Sequence, residues 1–256
     1  MTYQFITLDV ADRVATLTLN RPAALNALTV ELLTEAGDAL ASLAPRDDVS
    51  VVILTGAGRA FTAGVDLKAL QASGKDLTAG DVGDDLNAAA RRVQHLMETI
   101  PQPVIAKVNG FCFTGGLEIM LAADIAIAAE EAKFGDTHAL IGFRPTWGMT
   151  QRLARRTGMM RARELSFTAR TITGTEAAAY GMVMEAVPLA DLDAHVAKLA
   201  ATMAQNSPGS IAAYKDLYRT SENTGLDAGL EYEKTATYSI PDVGERMTAI
   251  LARLTK

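Results

Sequence analysis

The chain has 256 residues, 49% of them hydrophobic and 21% charged, enough to bury a sizeable core and too apolar to remain disordered. Thirty acidic residues against 24 basic ones give a formal charge of −6, without the electrostatic footprint of a general nucleic-acid binder. The single cysteine, Cys112, rules out an intrachain disulfide framework, and His95, His138 and His195 do not stand at zinc-ligand spacing. Neither a metal nor a redox cofactor is therefore expected. No signal-peptide pattern opens the chain. The longest apolar run, residues 119–129, is broken by Asp124 and too short to cross a bilayer. A cytoplasmic protein without a membrane partner is the expectation.

Residues 3–8 and 13–20 read as two strands with a turn at Ala11-Asp12. Val14 to Leu19 alternates as a half-buried strand does, and Arg21-Pro22 ends it. Thr29 is placed to cap a helix running to Leu43. The β-branched run 49–55 reads as a buried strand stopped by Gly56 and Gly58. A helix at 66–71 follows, then residues 72–85, whose three glycines and four aspartates mark the chain's mobile loop. Next come a helix at 86–99, a strand at 104–109, a glycine-containing turn at 110–116, a helix at 117–122 and a strand at 124–129. Beyond residue 191 the periodicity predicts helices at 191–205, 207–221, 226–238 and 242–254, with Ser207 capping the second and Pro208 at its first position. Alternating β and α segments followed by a strand-free tail predict an α/β core, 1–190, and a helical appendage, 191–256.

Two segments share a layout of buried strand, glycines and helix start: residues 51–67 and residues 104–118. A helix start presents unpaired backbone N–H groups, and glycine lets a ligand approach them. Facing one another, two such turns would form a two-donor pocket for an oxyanion. From pattern alone the plainer reading, two ordinary βα turns, carries more weight. Glu118 follows Gly115-Gly116 closely. It reads either as a helix-start charge favoured by the macrodipole or as a general base on an apolar helix. A capping box with Thr114 does not explain it, because position 117 is leucine. His138 lies in a polar patch ahead of Pro145-Thr146-Trp147-Gly148, where a lone histidine is more often structural than chemical. Cys112 reads as a buried small residue and Trp147 as packing.

Taken together, these pieces resemble the crotonase superfamily, the enoyl-CoA hydratase/isomerase family, over essentially the whole chain. The matching motifs run in order: Leu19-Asn-Arg-Pro22 with Leu25-Asn-Ala-Leu28, Gly58 to Leu67, Pro103 to Gly110, Gly115-Gly-Leu-Glu118, Ala123-Asp-Ile125, Phe134-Gly135 and Thr150-Gln-Arg-Leu153. The resemblance implies a spiral of ββα units with a helical C-terminal region that builds trimers, often paired into hexamers. It implies a thioester oxyanion hole made by the N–H groups of Val65 and Gly115. Ala63 and Leu67 fall in the stretch that holds the adenine end of coenzyme A, and Arg59 falls near its phosphates, with Arg21 a weaker candidate. Coenzyme A would enter only as part of the substrate. Glu118 matches the carboxylate that activates water. His138 stands where the family's second carboxylate is found, and Met149 where glycine is common, a change expected to reshape the acyl pocket. Hydration of a 2-enoyl-CoA is the activity expected. Decarboxylation and acyl-CoA binding without turnover are the alternatives that the missing second carboxylate favours; isomerisation is a further alternative, less expected because that branch relies on a carboxylate where His138 stands.

Overall fold

A computed structural model of the chain describes residues 2–254. Its first two strands, β1 (Ile6–Ala11) and β2 (Val14–Leu19), form an antiparallel hairpin. The turn falls on Asp12 and Arg13, both at positive φ, one residue later than the sequence suggested. Two such residues suit the right-handed twist of a hairpin. The first strand also starts later than expected. The N–H groups of Gln4 and Phe5 bind the Glu35 carboxylate instead of joining the ladder.

Beyond β2, strands fall alternately into two sheets. β3 (Val51–Gly56) is buried throughout and pairs parallel with β2, whereas β4 (Ala60–Thr62) starts a second sheet. β5 (Val104–Val108) and β6 (Phe111–Phe113) repeat the step, as do β7 (Ile125–Ala129) and β8 (Lys133–Gly135). β9 (Ile172–Thr173) closes the smaller sheet and β10 (Glu185–Val187) the larger, giving orders β4-β6-β8-β9 and β1-β2-β3-β5-β7-β10. The strands of the smaller sheet have two or three residues each, too short to show a period of two. That is why 110–116, expected as a turn, contains β6.

Helices fill the spaces between. α1 (Val30–Leu43) is capped by Thr29, whose side chain accepts from Leu32 N–H, and buries Leu32, Leu33, Ala36, Leu40 and Leu43. α2 (Leu67–Ala72) is capped by Asp66. The segment expected to be a mobile loop carries a 3₁₀ turn at Leu77–Ala79 capped by Asp76, and Asp81 accepts from Gly83 N–H and from Asn87 Nδ2. Asp76 and Asp81 are thus engaged with local backbone N–H groups. α3 (Asp84–Thr99) starts two residues earlier than predicted, with Asp84 and Asp85 in a first turn that favours negative charge. α4 (Gly115–Leu121) is wholly buried, and α5 (His138–Ile141) is a single turn. α6 (Met149–Thr157), α7 (Met159–Thr168) and α8 (Gly174–Ala179) complete the core, the last begun by a Thr173/Glu176 capping box.

Four helices follow: α9 (Leu189–Ala204), α10 (Pro208–Asn223), α11 (Leu226–Thr235) and α12 (Val243–Leu254). α9 lays Leu192, Val196 and Ala200, spaced one helical turn apart, on the larger sheet. Ser207 caps α10 as predicted. Lys215 ties that helix to the core, its buried ammonium meeting Asp124 at 2.8 Å and the carbonyls of Met97 and Gln102. α11 and α12 bury none of their residues, and Leu226, Leu230, Val243, Leu251 and Leu254 stay exposed. Among the described residues, no helix is long and apolar enough to cross a membrane.

Candidate active site

The two glycine turns touch. Leu28 N–H donates to the Gly64 carbonyl and Asp66 N–H to the Leu28 carbonyl, so residues 64–66 lie as a short parallel bridge beside Leu28. That pairing leaves Val65 N–H without a partner. Gly64 has φ +90°, and a Cβ there would come 2.8 Å from the Phe113 carbonyl and 3.5 Å from Gly115 N. Only glycine permits both the backbone conformation and the close approach. Across from it, Thr114 holds φ 49° and ψ −111°, a conformation costing roughly 1–3 kcal/mol for a non-glycine residue. Its N–H donates to Gly135 O and its hydroxyl pairs with that of Thr137, which hold it there. Gly115 then begins α4 with its N–H unpaired, as first-turn donors are. Val65, Gly115, Glu118, His138, Ala63 and Leu67 all line one cavity of about 130 Å³.

Glu118 is 2% exposed. Its Oε1 accepts from the N–H groups of Trp147, at 2.9 Å, and Met149, at 3.0 Å. Its Oε2 lies 3.7 Å from His138 Nε2. Burial pushes the carboxyl above its usual range, and the two N–H groups and His138 offset this only in part. The other ring nitrogen, His138 Nδ1, is 2.7 Å from Asp136 Oδ1, and Asp136 Oδ2 accepts from the Ser166 hydroxyl at 2.6 Å. Glu118, at the start of α4, and His138, at the start of α5, meet because adjacent strands β6 and β8 deliver both helices to one end of the smaller sheet.

A model of the enoyl-CoA hydratase/isomerase family matches residues 9–253. The chain belongs to that family. It is 34% identical to a crotonyl-CoA hydratase of Syntrophomonas wolfei, covering 99% of this chain and 97% of that one. It is 33% identical to a short-chain-enoyl-CoA hydratase of Clostridium acetobutylicum, covering 97% and 95%. The crystal structure of an enoyl-CoA hydratase from Bacillus anthracis superposes with a TM-score of 0.85 at 37% identity, covering 90% of this chain and 88% of that one. The crotonase spiral expected from the motifs is thus the fold observed.

Within this member of the family, not every residue singled out from the sequence reaches the cavity. The Arg59 guanidinium lies over the Phe111 ring, 5.7 Å from its centroid, and Arg59 is not among the lining residues. Arg21 is engaged with Asp66 at 3.0 Å, so its charge is already neutralised. Met149 was expected to reshape the acyl pocket, yet its side chain is fully buried in the core and its backbone N–H is what reaches the site. Trp147, read as packing, does more. Its N–H holds Glu118, its indole Nε1 donates to Asn87 Oδ1 at 2.7 Å, and its carbonyl accepts from Gln94 and Arg152. Gln94 also donates to the Glu118 carbonyl. Asn87, Gln94, Asp136 and Ser166 escaped the sequence reading because single polar side chains inside a fold carry no spacing signal. Asp136 had one faint sign, its place two residues before His138. Among the described residues, no group of His, Cys, Asp and Glu could hold a metal ion.

Proposed function

We propose that this enzyme adds water across the double bond of a 2-enoyl-CoA thioester and catalyses the reverse dehydration. The observation that carries the reading is one cavity lined by two unpartnered N–H donors, a buried carboxylate and an imidazole. The thioester oxygen accepts from Val65 and Gly115. Glu118, anchored through Oε1, takes a proton from water with Oε2 as the water oxygen bonds to the β-carbon. The π electrons move onto the thioester oxygen as an enolate, the charge the two donors are placed to meet. Removing one such donor typically costs about 10²–10³ in rate. The enolate collapses as the α-carbon takes a proton from His138, which does the work of the absent second carboxylate.

Ala63 and Leu67 line the side of the cavity that would receive the pantetheine and adenine portions, and Arg59 would offer its charge to the phosphates beyond. The exposed apolar residues of α11 and α12 support assembly into a homotrimer, or a hexamer of two trimers, through the tail beyond residue 191. Sedimentation should give three or six chains per particle, and a monomer at micromolar concentration would overturn that assignment. We place the enzyme in the cytoplasm.

The reading is tested by following the conjugated enoyl-thioester absorbance of crotonyl-CoA, with a longer 2-enoyl-CoA alongside. The wild-type protein should bleach it. His138→Ala should bleach it about a hundredfold more slowly, within the usual range for losing a general acid. No change with either substrate would refute hydration, and an unchanged rate in His138→Ala would remove that residue from the chemistry.

A further inference from the structure

Two polar side chains, one buried and one half-buried, have no part in the steps above. Asp136, 3% exposed, lies between β8 and α5, and Ser166 sits on α7. We propose that Asp136 is a positioning residue that fixes the proton of His138 on Nδ1, with Ser166 holding Asp136, so that Nε2 is the nitrogen presented to substrate. The proposal deepens the hydratase reading and rests on it for the role of His138.

The geometry leaves the carboxylate no freedom. Oδ1 faces His138 twice, accepting from its backbone N–H at 3.3 Å and its ring Nδ1 at 2.7 Å. Oδ2 accepts from Ser166 at 2.6 Å. A carboxylate has only acceptors to offer, so the hydrogen of that short contact must be on Nδ1. The remaining nitrogen, Nε2, then lies 3.7 Å from Glu118 Oε2, with the cavity beside both. Burial alone would push Asp136 up, but the hydrogen bonds from His138 and Ser166 outweigh it and hold its carboxyl below the usual range. The carboxylate that meets Nδ1 is therefore favoured in its charged form.

The step balances without a further reactant. A charged His138 carries hydrogen on both nitrogens, between the carboxylates of Asp136 and Glu118. On hydration it gives the Nε2 proton to the α-carbon and keeps the Nδ1 proton on Asp136, while Glu118 takes a proton from water. When the product leaves, the proton on Glu118 passes to Nε2 across the gap. One water has been added, and all three residues have returned to their starting charge. A histidine free to turn, or to hold its proton on the wrong nitrogen, could not replace a carboxylic acid here. Orientation of this kind by a hydrogen-bonded carboxylate is the part played in other enzymes that pair histidine with aspartate.

The test reads the tautomer directly. Protein labelled with ¹⁵N in its histidine rings is examined by long-range ¹H–¹⁵N correlation at a pH where His138 is neutral, its signals identified by their loss in His138→Gln. The wild type should carry the proton on Nδ1. In Asp136→Ala the proton should move to Nε2, and kcat for crotonyl-CoA should fall about a hundredfold with little change in KM. Asp136→Asn should rescue part of this. Its amide oxygen can accept from Nδ1 while its NH₂ donates to Ser166, preserving the tautomer without the charge. A wild-type proton on Nε2, or a folded Asp136→Ala variant with unchanged kcat, overturns the proposal. If Asp136→Ala does not fold, the wild-type spectrum and the Asn variant still decide. If the wild type turns over no 2-enoyl-CoA, the hydratase reading fails, and the spectrum separately reports whether Asp136 sets the tautomer.

Discussion

Glu118→Gln is expected to lower kcat for crotonyl-CoA hydration by roughly a thousandfold, inside the range for removal of a general base. The variant should stay folded and keep its affinity for a CoA ester. Glutamine retains the oxygen that accepts from Trp147 and Met149, so the anchoring half of the side chain is preserved. Its other terminus becomes an NH₂, which cannot take a proton from water. Stability should move the opposite way to activity. The folded-state pKa of Glu118 lies above its unfolded value, so below the ordinary carboxylate range both states are protonated and burial carries no ionisation cost. As pH rises through the folded pKa, the wild type loses stability relative to a neutral residue at this position. Glu118→Gln should therefore melt with the wild type at low pH and above it at pH 7. Thermal melts at the two pH values, beside steady-state rates, check both halves. Retained turnover would remove Glu118 from the role of base, and a lower melting temperature at pH 7 would show that its charge is not a burden on the fold.

That trade explains why a buried, incompletely paired carboxylate persists on an otherwise apolar helix. The chain puts Leu117, Ile119, Met120 and Leu121 around it, all nearly inaccessible. A stable core would favour another such residue at 118. Functional sites are where local rules of this kind are broken.

The sequence made the large sheet and the helices legible to different degrees for physical reasons. Val14 to Leu19 alternates because one face is buried and the other is not. The run from Val51 is uniformly apolar because both faces of β3 are covered. Thr29 and Ser207 were readable as caps because a side-chain acceptor at a helix start satisfies a backbone donor at a fixed spacing. β4, β6 and β8 were hidden inside segments that look like turns, being three residues each. The site divided along the same line. Gly115 and Glu118 stood out because a glycine pair followed by a charge in an apolar run is rare. The network that holds them, Asn87, Gln94, Asp136, Ser166 and the backbone of Trp147 and Met149, comes from elements far apart in the chain. Its partners lie up to 60 residues apart, as for Asn87 and Trp147. Pairings at that range depend on topology, which no window of sequence contains.

Gly115 joins the two halves of that network, and Gly115→Ala should show it. Alanine keeps the backbone N–H, so the oxyanion donor itself survives the substitution. The difficulty is space. A Cβ at 115 would sit 2.6 Å from Trp147 Cζ3, with two more ring carbons at 3.3 and 3.4 Å. The indole has little room to yield. Asn87 holds Nε1, Gln94 and Arg152 hold the carbonyl, and the N–H of the same residue holds Glu118. If the ring moves, Oε1 of Glu118 loses its register; if it does not, α4 shifts and takes the Gly115 donor with it. Overpacking of this kind typically costs about 1–3 kcal/mol of stability. A displaced donor or base should lower kcat by about a hundredfold or more. Gly244→Ala, in α12 and far from the site, where a Cβ meets nothing within 4 Å, should leave kcat unchanged and raise stability by up to about 1 kcal/mol, alanine being the better helix former. Adding Trp147→Phe to Gly115→Ala removes the ring atoms that clash. In a double-mutant cycle the two substitutions should then cost less together than the sum of their separate effects on kcat. Strict additivity would mean that the glycine is needed for something other than the indole, and wild-type turnover in Gly115→Ala would mean that the contact does not position the site at all.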